Sequence, residues 1–175
     1  MTAASTQRAF DGTIQPEAED GHDYTMATPV AKTGMEFCLG LIGPAALSVA
    51  ASRIAVDKAT DAATREFANF EPREAVAVVG ILKELNVPAP PMDPGAKAFI
   101  ESLQTSSAGS GFDKAYATAE LANHEFLRDL AKSYLENVAG NASDEETLPR
   151  HLAALAITAF KEHVVLTKSI LRRLS

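Results

Sequence analysis

The sequence holds no tryptophan and a single cysteine, and none of its apolar runs is long enough to read as a membrane span. One cysteine excludes an intramolecular disulfide, and Cys38 by itself offers no thiolate metal site. Set between Phe37 and Leu39, it reads as a small buried hydrophobe. A phosphate-binding glycine loop, a nucleophile elbow and an H-E-x-x-H helix are all missing, and Ser48, Ser52 and Ser133 have no evident base, so hydrolase chemistry is disfavoured and no turnover is expected. Basic residues are also scarce: 16 Lys and Arg against 23 Asp and Glu leave a net charge of −7. Nucleic-acid affinity comes from clustered cations, so a nucleic-acid partner is excluded. The one basic group, Lys168 with Arg172 and Arg173, falls at the end of a predicted helix, where it complements the helix dipole. The apolar stretch from Phe37 to Ala51 is short and interrupted at Gly43 and Pro44, which argues against a membrane span. Residues 2 to 34 contain no apolar segment of the secretory type, so a cytoplasmic chain is expected unless Met1 stands where a leader was removed. Homo-oligomerisation and a protein partner stay open.

What the chain does have is alanine and leucine in helical periodicity over 175 residues, enough for one domain with a proper core. Residues 1–33 lack apolar periodicity and read as a flexible or wrapping arm, with His22 solvated between acids. Residues 34–175 read as the helical domain. A short helix is predicted over Glu36–Ile42, and a second begins near Pro44 and reaches about Thr60, with Gly43 as punctuation. Asp61 suits the N-cap of a helix from Ala62 to about Leu85, kinked near Asn69 by Pro72. A short helix follows over Pro94–Thr105. Ser110 can cap a long one from Gly111 to about Val138, and Ser143 with Glu146 has capping-box spacing ahead of a last helix ending at Leu174. The apolar stripe of that last helix counts as Leu148, Leu152, Leu155, Ala159, Leu166, Ile170 and Leu174. Four substantial helices with short breaks predict an all-α, antiparallel four-helix bundle with short additional helices.

Acids and histidines interrupt the stripes where a simple bundle would place Leu or Ala, and burying an unpaired charge is costly. Phe67, Glu71, Glu74 and Val78 are spaced 4, 3 and 4, which puts both glutamates on the face the two apolar residues would bury. Glu120 and His124 are one turn apart, with Tyr116 one turn earlier. Glu162 and His163 are adjacent, and at about 100° per residue only one of them can face inward. Carboxylates and imidazoles converging from three helices can ligate a metal ion such as iron, zinc or manganese. They can equally form a metal-free hydrogen-bonded Glu/His network in a structural or interaction module. Glu71, Glu74, Glu120, His124, Glu162 and His163 are the candidate ligands. His151, near the start of its helix, reads as exposed.

The run Ala51–Ala59, Phe67-Ala-Asn-Phe-Glu-Pro-Arg-Glu74, the helix start Gly111-Phe-Asp-Lys-Ala-Tyr116, Asn123-His124-Glu125 and Lys161-Glu-His163 together resemble the bacterial domain-of-unknown-function 4142 family. The resemblance covers about residues 36 to 174. It implies a ferritin-like four-helix bundle and a periplasmic location, whereas a role in metal handling or stress protection is the expectation from the inward carboxylates and histidines on three helices. The ferritin-like pattern for two metals takes a Glu from each of two helices and Glu-x-x-His from the other two. This chain departs from it at Glu71-x-x-Glu74, in the four-residue spacing of Glu120 and His124, and in the adjacency of Glu162 and His163; its first core helix carries no inward acid. Those departures point to a mononuclear or incomplete site held by Glu71, Glu74, His124 and His163.

Overall fold

The structure, a computed structural model, describes residues 29–140 and 143–175, and among them it contains five helices and no strand. Thr33 caps the first, its Oγ1 accepting from the Glu36 N–H at 3.2 Å. α1 then runs unbroken over Gly34–Lys58. The predicted split at Gly43 and Pro44 does not occur. Leu41, Ile42, Ala45 and Leu47 are buried on both sides of the proline, and that packing outweighs the roughly 3 kcal/mol an interior proline costs. Unbroken, α1 is long and apolar enough to cross a membrane. Its apolarity has another use here, because α1 packs against each of the other four helices as the core helix of the bundle.

Asp61 caps α2 (Ala62–Glu84) as its position suggests, accepting from the N–H groups of Ala63 and Thr64. Pro72 lies inside α2 without ending it. Asp93 caps α3 (Pro94–Thr105), and Lys58 finishes it by donating to the carbonyls of Leu103, Gln104 and Ser106. α4 covers Ser110–Asn137. Ser110 lies within the helix, and the cap is Gly109, whose φ of 143° is open to glycine and strained for other residues. α5 covers Asp144–Arg173. The capping box expected of Ser143 and Glu146 gives way to a longer-range use of the acid. Glu146 accepts from the Gly34 N–H at 2.9 and 3.0 Å and from the Tyr134 hydroxyl. Gly34 has no room for a side chain there, since a Cβ would sit 2.6 Å from Pro149 of α5.

These end-to-end ties set the topology. Gly34 meets Glu146, so α1 and α5 start at the same end of the bundle. Asp113 at the start of α4 holds Thr60 and Asp61, and Arg173 at the end of α5 reaches Asp61 at 2.6 Å. α1 and α5 therefore run one way, α2 and α4 the other, and residues 85–109 with α3 form one long crossover between α2 and α4. The expected all-α bundle is what folds. Residues 1–28 of the expected arm, including His22, lie outside the described residues; beyond them Ala31 is fastened to α4 through Ser133 and Asn137.

Apolar side chains form two clusters. One, at the Gly34 end, includes Phe37, Leu41, Leu130, Tyr134 and Phe160, with the Phe37 and Tyr134 rings stacked at 5.0 Å. The other, at the Asp61 end, includes Ala51, Ala55, Phe67, Phe99 and Tyr116. The buried line of α5 differs from the predicted stripe: Leu148, Leu155 and Leu166 are exposed, while Leu152, Ala156, Phe160, His163, Thr167 and Ile170 face inward. The predicted stripe holds at Leu152 and Ile170 and leaves the buried face between them, where a small and two polar residues fit between α1, α2 and α4.

Candidate metal centre

Between the two apolar clusters the bundle has a polar waist. Every helix except α3 contributes to it: Ser48 and Ser52 from α1, Glu71 from α2, Glu120, Asn123 and His124 from α4, His163 and Thr167 from α5, all buried. Three phenylalanines wall it off. Phe67 sets its edge against both imidazoles, at 6.0 Å from His124 and 5.3 Å from His163, Phe70 stands 5.6 Å from His163, and Phe160 lies 6.0 Å from His124.

At the centre, His163 Nδ1 lies 2.9 Å from both His124 Nε2 and Glu71 Oε2, and the last two atoms are 3.5 Å apart. Ligands bound at about 2.1 Å to one tetrahedral or octahedral ion sit roughly 3.0–3.4 Å from each other, so this triangle matches one face of a coordination sphere. Among the described residues, these three form a group able to hold a metal ion.

The outer nitrogen of each ring is already committed. His124 Nδ1 is 2.7 Å from the carbonyl of Glu120, which can only accept, so Nδ1 carries the proton and Nε2 presents a lone pair to the centre. His163 Nε2 lies 3.2 Å from Glu74 Oε2, within ion-pair distance of that carboxylate. Two inner ring nitrogens and a carboxylate oxygen therefore converge on one spot. Glu71 Oε2 is within ion-pair distance of both rings, yet it meets neither at hydrogen-bonding angles and is the one buried side-chain polar atom among the described residues without a hydrogen bond. The angles show that no ring N–H is aimed at this oxygen.

Electrostatics follow the same geometry. Burial alone would raise the Glu71 carboxyl, but the close imidazoles of His124 and His163 hold it at about 2. Burial works against a charged His124, and Glu71 and Glu120 together overcome it, so this histidine titrates above its ordinary range. Glu120 goes the opposite way: burial, aided by the nearby charge of Glu71, pushes it up to about 7. Ser48 works against that rise: its Oγ donates to Oε2 at 2.6 Å, a bond that favours the carboxylate, while accepting from Asn123 Nδ2 at 3.0 Å.

Of the six residues nominated from the sequence, Glu71, His124 and His163 meet at the centre. Glu120 sits behind His124, its carboxylate 3.6 Å from Nδ1 and turned to Ser48. Arg128, a possible neighbour for it on the same helix, pairs instead with Asp129 at 2.7 Å. Glu74 lies outside the triangle with half its side chain exposed. Glu162 is exposed and stays away from the waist, because its neighbour His163 takes the inward direction. Sequence reasoning passed over Ser48, Asn123, Thr167 and the Ser52–Tyr116 hydroxyl pair at 2.7 Å. The available signal was weak: Ser48 and Ser52 are one turn apart on a face otherwise made of alanine.

No curated protein and no solved structure matches the chain. The profile of the domain of unknown function DUF4142 matches residues 22–164, spanning every waist residue except Thr167 and all five helices up to Val164, and with most of its length so matched the chain belongs to the DUF4142 family.

Proposed function

We propose that this protein binds one divalent metal ion per chain through Glu71, His124 and His163, inside a ferritin-like bundle, and serves in metal handling or protection against oxidative stress. The observation that carries the reading is the convergence of two inward imidazole nitrogens and an unbonded carboxylate oxygen within a triangle of 2.9, 2.9 and 3.5 Å. A proton or a metal cation must neutralise that convergence. Two imidazoles and one carboxylate with positions left open suit Fe(II) and Zn(II) better than all-oxygen ions. The single crossover between α2 and α4 is the connectivity of ferritin-like bundles and supports that part of the proposal. α1 offers Ser48 and Ser52 in place of an acid, which supports one ion over two.

A metal-free form is the second reading, and the His163–His124 contact at 2.9 Å favours it where metal is scarce: a proton shared by the rings takes the place of the ion. Elemental analysis of untagged protein, purified without chelator or nickel resin, separates the two. Near-stoichiometric iron, zinc or manganese that disappears in Glu71→Gln and His124→Ala supports the site. Absence of metal after incubation with all three ions leaves the proton-bridged network as the native state.

A further inference from the structure

Resting on the metal-site reading, we propose that the ion enters through the seam between α2 and α5, and that Glu74 takes it from solvent and hands it to His163. The waist is closed on its other sides. Phe67 and Phe160 cover the imidazoles, and Ser48, Asn123 and Glu120 fill the side toward α1 with satisfied hydrogen bonds. A hydrated cation cannot cross such walls without losing its water to apolar surface.

The α2–α5 seam is different. Glu74 has half of its side chain in solvent while its Oε2 lies 3.2 Å from Nε2 of a His163 that is 4 % exposed, so one carboxylate joins bulk water to the buried site. One turn further along the same seam is a hollow of about 240 Å³ lined by Glu66, Phe70 and Leu166, among others. Glu66, Phe70 and Glu74 follow one another at four-residue steps on α2, which places two acids along the opening. The cation at its rim, Arg173, is held by Asp61 at 2.6 Å and so does not oppose an incoming ion. When the ion arrives, it passes from Glu74 along the edge of the His163 ring to Nδ1, which already faces inward, and Glu71 and His124 complete the set.

The test is stopped-flow mixing of the full chain with Co(II), whose absorption reports coordination, for wild type, Glu74→Gln, Glu74→Asp and Glu162→Gln. A carboxylate at the mouth of a low-dielectric entry raises association about tenfold or more. Glu74→Gln is expected to lose at least that factor in association rate and to show a flatter salt dependence, with dissociation changed much less. Glu74→Asp recovers most of the rate, and Glu162→Gln, a charge removed from the exposed neighbouring position, behaves as wild type. Wild-type association in Glu74→Gln overturns the proposal, whether or not release is faster, because Glu74 then only orients His163. Failure of the wild type to take up cobalt, zinc or iron removes the site reading itself and the entry route with it.

Discussion

His163 Nδ1 and His124 Nε2 face each other at 2.9 Å in the buried waist, while the other nitrogen of each ring is held by Glu74 and by the Glu120 carbonyl. The pair is therefore poised for a cation. A metal that binds the folded chain and not the unfolded one, present at 100 times its Kd, adds about 2.7 kcal/mol, which for a domain of this size raises Tm by roughly 5–10 °C. Thermal melts with and without EDTA should differ by that amount in the wild type and coincide in His163→Ala. Equal shifts in both proteins would place the stabilising ion elsewhere.

The metal-free protein should have an unusual pH profile. Glu71 is held at about 2 in the folded state against an ordinary 4.5, so its contribution is full above 4.5 and is lost as pH falls toward 2. Glu120 is raised from 4.5 to about 7, so its contribution is full below 4.5 and is lost as pH rises to 7. His124, raised above 6.5, contributes fully below that value and loses its contribution as pH rises through its folded pKa. Together these place the maximum stability of the metal-free protein near pH 5 and make it fall toward pH 8. Metal competes with protons for the same lone pairs, so its added stabilisation grows over the same interval. Urea titrations from pH 3 to pH 8, with and without zinc, would show the two curves separating as pH rises. A metal-free curve that climbs between pH 5 and pH 8 would mean Glu120 is ionised and paired.

Ser48 is the hydrogen-bond donor to the buried Glu120 carboxyl. Its hydroxyl donates to Glu120 at 2.6 Å and accepts from Asn123 at 3.0 Å, all three groups being buried. Ser48→Ala leaves an acceptor and a donor unpaired, a loss of about 1–3 kcal/mol, with metal content unchanged because Ser48 touches none of the three ligands. Denaturant midpoints and elemental analysis on the same preparation check both halves of the expectation. Glu120→Gln should instead be tolerated near neutrality and remove much of the fall in stability between pH 5 and pH 7.

The helices and half of the site were legible because they rest on local rules. Asp61 caps where its side chain can reach the next amides, and the 4, 3, 4 spacing of Phe67, Glu71, Glu74 and Val78 pointed to the α2 face that carries Glu71 into the waist, with Glu74 left half exposed at its edge. Pro44 was misleading because an interior proline is a local cost, whereas the burial of Leu41, Ala45 and Leu47 against several partners is not visible along the chain. The α5 stripe misled for a related reason. Leu155 is exposed and Thr167 buried because Thr167 returns its hydroxyl to the His163 carbonyl at 2.6 Å, which makes a polar residue acceptable in the core. Which of Glu162 and His163 pointed inward depended on that rotation of the whole helix, and so did the third member of the buried triangle.

Asp113 ties the height of α2 to that of α4. Fully buried, its carboxylate accepts from the Thr60 N–H at 3.0 Å, the Thr60 hydroxyl at 2.6 Å and the Asp61 N–H at 2.9 Å, clamping the α1–α2 turn onto the first turn of α4. Glu120 and His124 lie two and three turns further along α4, and Glu71 lies about three turns along α2 from Asp61, so the clamp sets the register in which Glu71 meets His124. Asp113→Ala leaves three donors without their acceptor and should cost about 2–4 kcal/mol of stability. It should also weaken metal binding, since the ligand triangle tolerates little sliding of one helix along the other. Asp113→Asn keeps one acceptor oxygen and should fall between. Urea midpoints give the first effect, and cobalt titration of the folded fraction gives the second. A variant that loses stability but keeps wild-type cobalt affinity would show that the register is set by the apolar clusters on either side of the waist and owes nothing to the clamp.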